Sequence, residues 1–280
     1  MANNHGPELT IVVSQAGALG SLPGAALAPE ALRTAIREVR AATDAPFAVN
    51  LFAEPYLAPG ALAVVLEERP PAFSFTFGLV DPTPLRDAGI RVLGTATTVE
   101  EAVALEEAGA DAVVAQGAEA GGHRGTFIGS FEDGLVPLEE LVPACVDAVA
   151  VPIVAAGGIA DGSGIARMLE LGAQGVSLGT AFLFTPEAGR RQEHLEALRA
   201  LPTVVTDVYT GRPMRAARTP VLEQLMAGPP PLPFPEQRRV SAEVGPLFMG
   251  GTGAAQSREL PAAELVRTLV DEARAGLRSR

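Results

Sequence analysis

The chain has 280 residues, 48% hydrophobic and 19% charged, enough for one α/β barrel, which commonly takes about 250. A net charge of −12 repels a phosphate backbone and anionic membrane surfaces, which argues against nucleic-acid and membrane partners. One cysteine excludes an intrachain disulfide and suits a reducing cytoplasm, the expected location. The start MANNHGPE carries no basic or apolar signal region.

In chain order, Pro7–Gly17 reads as a helix and Leu19–Leu22 as a strand. Pro29–Thr43 follows as a helix, with Ala31, Leu32, Ala35, Ile36 and Val39 at helical spacing. Phe47–Phe52, Phe73–Phe77, Arg91–Thr95 and Ala112–Gln116 read as buried strands. Between the last two, Val99–Ala108 predicts a helix with Val103 and Leu105 inward and its glutamates outward. The apolar stretch Val142–Ala160 is long enough for a membrane span, but Asp147, two prolines and Gly157-Gly158 divide it into a helix, a turn and a strand, Pro152–Ala156. Cys145 in that stretch reads as a small buried hydrophobe. A helix over Gly164–Leu171 and a strand over Gly175–Gly179 complete the series, and Gly109 and Gly172 suit helix C-terminal caps.

Strands alternating with helices are the signature of parallel βαβ units, so the expected fold is a TIM (β/α)8-type barrel. Seven strands are countable where eight are needed, which leaves the first strand missing or truncated, with Met1–Asn3 as its remnant. Beyond Glu187 the pattern weakens. Glu187–Leu201 and Pro261–Leu277 read as helices, and the proline-rich Gly228–Pro235 as a stiff internal loop rather than a ligand for a polyproline-binding domain. The expected organisation is one domain over 1–280, with a barrel core at 1–185 and a helical and loop region at 186–280 packed on it.

Three motifs carry chemistry. In AQGAEAGGHRG, the run from Ala115 to Gly125, the pair Gly121-Gly122 lets backbone approach a flat ligand, and His123 follows as a titratable group over that ligand. A satisfied loop histidine is the bland alternative. Gly157-Gly158, and Gly179 with Thr180, end consecutive late strands and suit a phosphate cradle, or two tight turns without a ligand. Asn50 near the end of the strand FAVNLF suits the edge of a heterocycle, or a turn. His5, expected in a mobile terminus, and His194, expected on a solvated helical face, have no convincing metal-ligand neighbours, so no metal is expected.

The segments AQGAEAGGHRG, APFAVNLF, AAGGIADGSGIARMLELGAQGVSLGTAFL and VSQAGALGSL resemble nitronate monooxygenases, formerly called 2-nitropropane dioxygenases, over nearly the whole chain. Flavin-dependent enoyl-ACP reductases share much of the pattern. The resemblance implies an FMN-containing barrel. In it Gly157, Gly158, Gly179 and Thr180 hold the phosphate, Asn50, Gln116, Gly121 and Gly122 lie along the ribityl chain and isoalloxazine, and His123 is the active-site histidine. It further implies oxidative denitrification of alkyl nitronates, or of nitroalkanes, with O2 to a carbonyl and nitrite. Arg124 is a candidate for stabilising the nitronate anion, a solvated loop arginine being the alternative. Two positions depart from the family: Gly251-Thr252-Gly253 stands where a Gly-Gln-Gly turn is usual, and Thr95 where some relatives carry lysine. An NAD(P)H-dependent enoyl-thioester reductase and a flavin-poor, non-catalytic barrel are the competing readings, and a homodimer is left open.

Overall fold

The computed structural model describes residues 6–278. Helix α1 (Pro7–Gln15) opens on a proline, whose missing N–H is harmless in a first turn. Then β1 (Gly20–Pro23), α2 (Pro29–Ala42), β2 (Phe47–Phe52), α3 (Ala61–Glu68), β3 (Ala72–Thr76), α4 (Thr83–Asp87), β4 (Arg91–Ala96), α5 (Val99–Glu107) and β5 (Ala112–Gln116) alternate. A two-residue strand, β6 (Gly122–His123), precedes α6 (Leu138–Ala148), β7 (Ile153–Ala156), α7 (Gly162–Glu170) and β8 (Gly175–Ser177). Seven strands, β1 to β5 with β7 and β8, lie side by side in chain order, every pair parallel. This is a TIM-type barrel open on one side: among the described residues no strand joins β8 to β1. Met1–Asn3, the expected remnant of the first strand, lie outside the described residues.

Side chains on a strand alternate between faces, and here the two faces differ in kind. Phe47, Val49 and Leu51 of β2, Phe73 and Phe75 of β3, and Ile153 and Ala155 of β7 are buried in the core shared with the helices. The opposite faces carry smaller and more polar groups, among them Asn50, Ser74, Thr76, Thr95 and Gln116, which line a cavity. Gly94 of β4 shows how closely the helix layer approaches, since a Cβ there would overlap Leu105 of α5. Cys145 is buried in the same core, and burial pushes its thiol up to about 11.

One helix departs from expectation. Glu101 of α5 is fully buried rather than outward. Thr98 is the N-cap and accepts from Glu101 N at 3.2 Å. Glu101, three residues on, reaches back to Thr97 N at 2.6 Å, close to a capping box. Its other oxygen accepts from Phe127 N and from Ile128 N at 2.9 Å, so the helix start is tied to the loop after β6.

Beyond β8 the chain forms α8 (Thr180–Leu183), α9 (Gln192–Ala200), β9 (Thr203–Thr206), β10 (Met214–Ala217), α10 (Pro220–Met226), α11 (Gln237–Val244) and α12 (Ala262–Arg278). The last returns to the barrel, where Glu272 accepts from Gly162 N at 3.1 Å at the start of α7. A second sheet, absent from the sequence reading, has the antiparallel order β6-β10-β9. The predicted strand Gly175–Gly179 stops at Ser177, and Gly179 instead caps α8. Among the described residues no helix is long and apolar enough to cross a membrane.

Outside the barrel, Arg33, Arg37 and Arg40 of α2 converge on Glu68 of α3. The hydrogen bond from Arg37, with Arg33 adding to it, holds the Glu68 carboxyl below its ordinary 4.5. A carboxyl depressed in the folded state contributes stability that is present above its unfolded pKa and lost as pH falls through the folded one. Urea denaturation of wild type and Glu68→Gln should therefore show the wild type ahead at about pH 7 and the gap closing by about pH 3. A gap independent of pH would mean that the arginines act there by packing alone.

Candidate active site

A cavity of about 1560 Å³ opens at the C-terminal ends of the parallel strands, where barrel enzymes place their chemistry. It exceeds the roughly 300–1,000 Å³ usual for a ligand pocket. Its lining reaches from the strand ends past Ala48 and Val154 to Val13 of α1 and Val266 of α12. His123, Asn50, Gln116, Gly121, Gly122, Gly157, Gly158, Gly179 and Thr180 all line this cavity. Thr95 lines it as well, whereas Thr252 is exposed to solvent and the cavity wall there is Gly253.

His123 is held from several directions. It pairs with Met214 across β6 and β10, and the next residue continues the pairing through Arg124 N to Pro213 O at 2.8 Å. Gln116, at the end of β5, donates from Nε2 to His123 O at 3.1 Å and accepts from Gly125 N at 2.8 Å. Both ends of this amide thus fasten the histidine loop, leaving one N–H over. The imidazole meets the edges of Phe77 and Phe234, with ring centres 5.9 and 5.3 Å away, and its Nε2 lies 3.1 Å from Thr210 Oγ1. Arg212 stacks 4.0 Å over the Phe77 ring and donates to Thr126 O at 2.6 Å and Arg124 O at 3.3 Å. Burial foremost, with nearby positive charges that include Arg212 and Arg238 adding to it, brings the His123 pKa down to about 3. The ring is therefore neutral at any ordinary working pH.

The glycines divide into two kinds. A Cβ at Gly179 would meet nothing within 4 Å, so this backbone faces open cavity. At Gly121 a Cβ would overlap the backbone of Gly250 and Gly251, and at Gly157 and Gly158 it would crowd Ala120 and Glu119 at 3.0 Å. Gly157 and Gly158 also adopt positive φ, 131° and 69°, which a side chain disfavours. Close packing of protein on protein accounts for these three, while Gly179 and Gly122, the latter with only Met249 Sδ 3.9 Å away, are open toward a ligand. Thr180 Oγ1 accepts from Gly251 N at 2.8 Å, which leaves its hydroxyl proton to donate. The Asn50 amide donates to Ser74 Oγ at 3.0 Å, which leaves its carbonyl oxygen as an acceptor.

Two expectations are corrected. Arg124 is neither solvated nor directed at the cavity: it is fully buried and donates to the carbonyls of Gly117, Gln116 and Gly134 at 2.8, 2.8 and 3.0 Å. The chain doubles back after β5, and the guanidinium fills the resulting cup of carbonyls. His194 is buried rather than solvated, because α9 packs on the segment before α12: its Nε2 lies 2.9 Å from Met249 O and its ring 5.2 Å from Phe248. His5 lies outside the described residues.

Sequence reasoning missed Thr210, Arg212, Phe77, Phe234 and Tyr56. Phe234 belongs to the proline-rich loop, which packs against Gly211 so closely that a Cβ there would overlap Leu232 O. An aromatic residue within that loop, and the run Thr210-Gly211-Arg212-Pro213 after a β-branched stretch, were the available signals.

Gly121→Ala and Gly179→Ala separate the two kinds of glycine. The first should cost about 1–3 kcal/mol of stability through overpacking, and the second should stay within about 0.5 kcal/mol of wild type, both read by urea denaturation. Equal losses would contradict the division.

A family model described as Nitronate monooxygenase matches residues 1–61 and 55–272. A nitronate monooxygenase of Pseudomonas aeruginosa is 42% identical over 325 aligned positions, covering 96% of this chain and 93% of the relative. A probable nitronate monooxygenase of Staphylococcus haemolyticus is 35% identical, covering 97% and 90%. Among solved structures, nitroalkane oxidase from Streptomyces ansochromogenes superposes with a TM-score of 0.91 at 34% identity, covering 100% of this chain and 95% of that one. FabK from Thermotoga maritima gives 0.83 at 32%, covering 100% and 92%. The Pseudomonas alignment is longer than the 280 residues of this chain, so that relative carries residues with no counterpart here. The two stretches matched by the family model meet at 55–61, in the connection between β2 and α3. The chain belongs to the nitronate monooxygenase family.

Proposed function

We propose that this protein oxidises alkyl nitronates, using FMN and O2, to a carbonyl compound and nitrite. The observation that carries the reading is a neutral, aromatic-walled histidine beside cationic Arg212 and Arg238, at the mouth of a barrel whose neighbouring wall is an open glycine backbone. The residues present fit FMN. Gly179 backbone and the Thr180 hydroxyl suit its phosphate, and the Asn50 carbonyl oxygen suits a donor on its ribityl chain or ring edge. Bound there, FMN would supply the electron transfer, and the protein's part is to orient the substrate and exclude water.

The electrostatics favour the nitronate over its neutral parent. The positive charges that suppress His123 protonation also favour an anion in the same place. A histidine with a pKa of about 3 is a poor match for taking a proton from carbon, because general-base catalysis is best with a pKa near the working pH. A nitronate arrives already deprotonated and makes no such demand.

The decisive measurement is an absorbance spectrum after FMN addition, followed by anaerobic propionate 3-nitronate and, separately, NADPH. The expected result is flavin uptake and loss of flavin absorbance with the nitronate alone. Loss with NADPH alone would replace this reading by an enoyl-thioester reductase, and failure to take up FMN would leave a non-catalytic barrel. Gly179→Val, which places side-chain bulk where the phosphate belongs, should weaken FMN binding at least about tenfold, equivalent to 1.4 kcal/mol, in a fluorescence titration. The profile of kcat/KM for the nitronate against pH should lack any break from His123 between about pH 5 and pH 8, since its pKa lies near 3. A break that disappears in His123→Gln would contradict that assignment.

A further inference from the structure

Thr210 belongs to a stretch outside the parallel strands, and no part of the reading above gives it a task. It is fully buried, so its hydroxyl has only protein partners to choose from. Its oxygen lies 2.8 Å from Arg212 O, 3.3 Å from Arg212 N and 3.1 Å from His123 Nε2. A hydroxyl has one proton to give and two lone pairs. The carbonyl of Arg212 can only accept and is the nearest of the three, so the Thr210 proton goes there. The backbone N–H of Arg212 can only donate, so it takes one lone pair. What remains toward His123 is the second lone pair, which requires a proton on Nε2.

We infer that Thr210 is a positioning residue that fixes His123 as the Nε2–H tautomer and leaves Nδ1 as the nitrogen that accepts a proton or hydrogen bond in the cavity. Among the described residues the imidazole makes no side-chain hydrogen bond other than the one through Nε2, so nothing there competes for Nδ1. The opposite tautomer requires the Thr210 hydroxyl to turn to Nε2, and the Arg212 carbonyl, in a buried residue, then loses this donor. Since the ring stays neutral at working pH, the tautomer alone decides what it offers to a bound molecule. Toward a neutral nitroalkane, a poor substrate for so weak a base, Nδ1 is the one ring nitrogen able to take the proton: the α-carbon's C–H bond breaks, the N–H bond forms at Nδ1, and the electron pair stays on the substrate as the nitronate. This last consequence rests on the function proposed above, whereas the tautomer itself does not.

The test is long-range ¹H–¹⁵N correlation on the ¹⁵N-labelled full chain, before and after FMN addition. With three histidines in the sequence, His123→Gln assigns the signals. The expected pattern for His123 is a protonated Nε2 and a bare Nδ1 in wild type and in Thr210→Ser, and the other tautomer or an exchanging mixture in Thr210→Val. A bare Nε2 in wild type, or an unchanged pattern in Thr210→Val, would overturn the inference whether or not the chain turns over nitronates. In turnover, Thr210→Val should lose at least about tenfold in kcat on nitroethane, equivalent to 1.4 kcal/mol, and change less than about threefold on ethyl nitronate, with Thr210→Ser restoring the nitroethane rate. Equal losses on both substrates would mean that Thr210 acts through general packing.

Discussion

A buried arginine whose hydrogen bonds go to backbone carbonyls underlies the candidate active site. Arg124 is enclosed by the loop that leaves β5, and three backbone carbonyls accept from its Nη1 and Nη2 groups, while its buried Nε has no hydrogen-bond partner. Burial lowers its pKa to about 10, still well above neutrality, so the charge persists inside the protein. A planar, delocalised guanidinium tolerates such a place better than an ammonium, because its fork reaches several acceptors at once. The carbonyls of 116, 117 and 134 are thereby held around one point. His123 sits immediately before this anchor, and β6 is too short to hold itself in place. Arg212 repeats the device from the opposite side, with its guanidinium against the carbonyls of 124 and 126. The backbone that carries the imidazole is thereby held by two cations, Arg124 through carbonyls alone and Arg212 through carbonyls and the Phe77 ring.

The parallel strands were legible because each has a local signature. β2 and β5 match their predicted bounds, and the residues expected along the cofactor all reach one cavity. What the sequence concealed depends on partners far away in the chain. β6 has two residues and exists only because β10, some 90 residues later, pairs with it. No periodicity can announce such a strand. Glu101 looked like one more outward glutamate on a charged helix, and the backbone that claims its carboxylate lies 26 and 27 residues downstream. Arg124 and His194 were misjudged for the same reason, as polar side chains usually face water unless distant backbone reaches them. The expected cofactor glycines fall into two kinds that the sequence does not separate: three of the five make room for protein.

The cavity wall thus has two authors. The strand ends supply an open backbone and small polar groups, and the stretch from Tyr209 to Met249 supplies aromatic edges and positive charge. Phe234 and Tyr56, 4.9 Å apart, join the proline-rich loop to the β2–α3 connection directly over the histidine. That connection is where the two stretches matched by the family model meet. The aromatic part of the wall beside His123 is therefore built from segments outside the parallel sheet.

This division of labour has an evolutionary corollary. The proline-rich loop meets the residues at the barrel mouth through a few ring edges and packs on Gly211 between β9 and β10, not through shared strands. Its side chains can drift while the frame beneath stays under selection for packing. One inherited barrel is thereby free to acquire new substrate preferences by rewriting about ten residues of loop, the pattern expected where function resides in loops on a rigid scaffold.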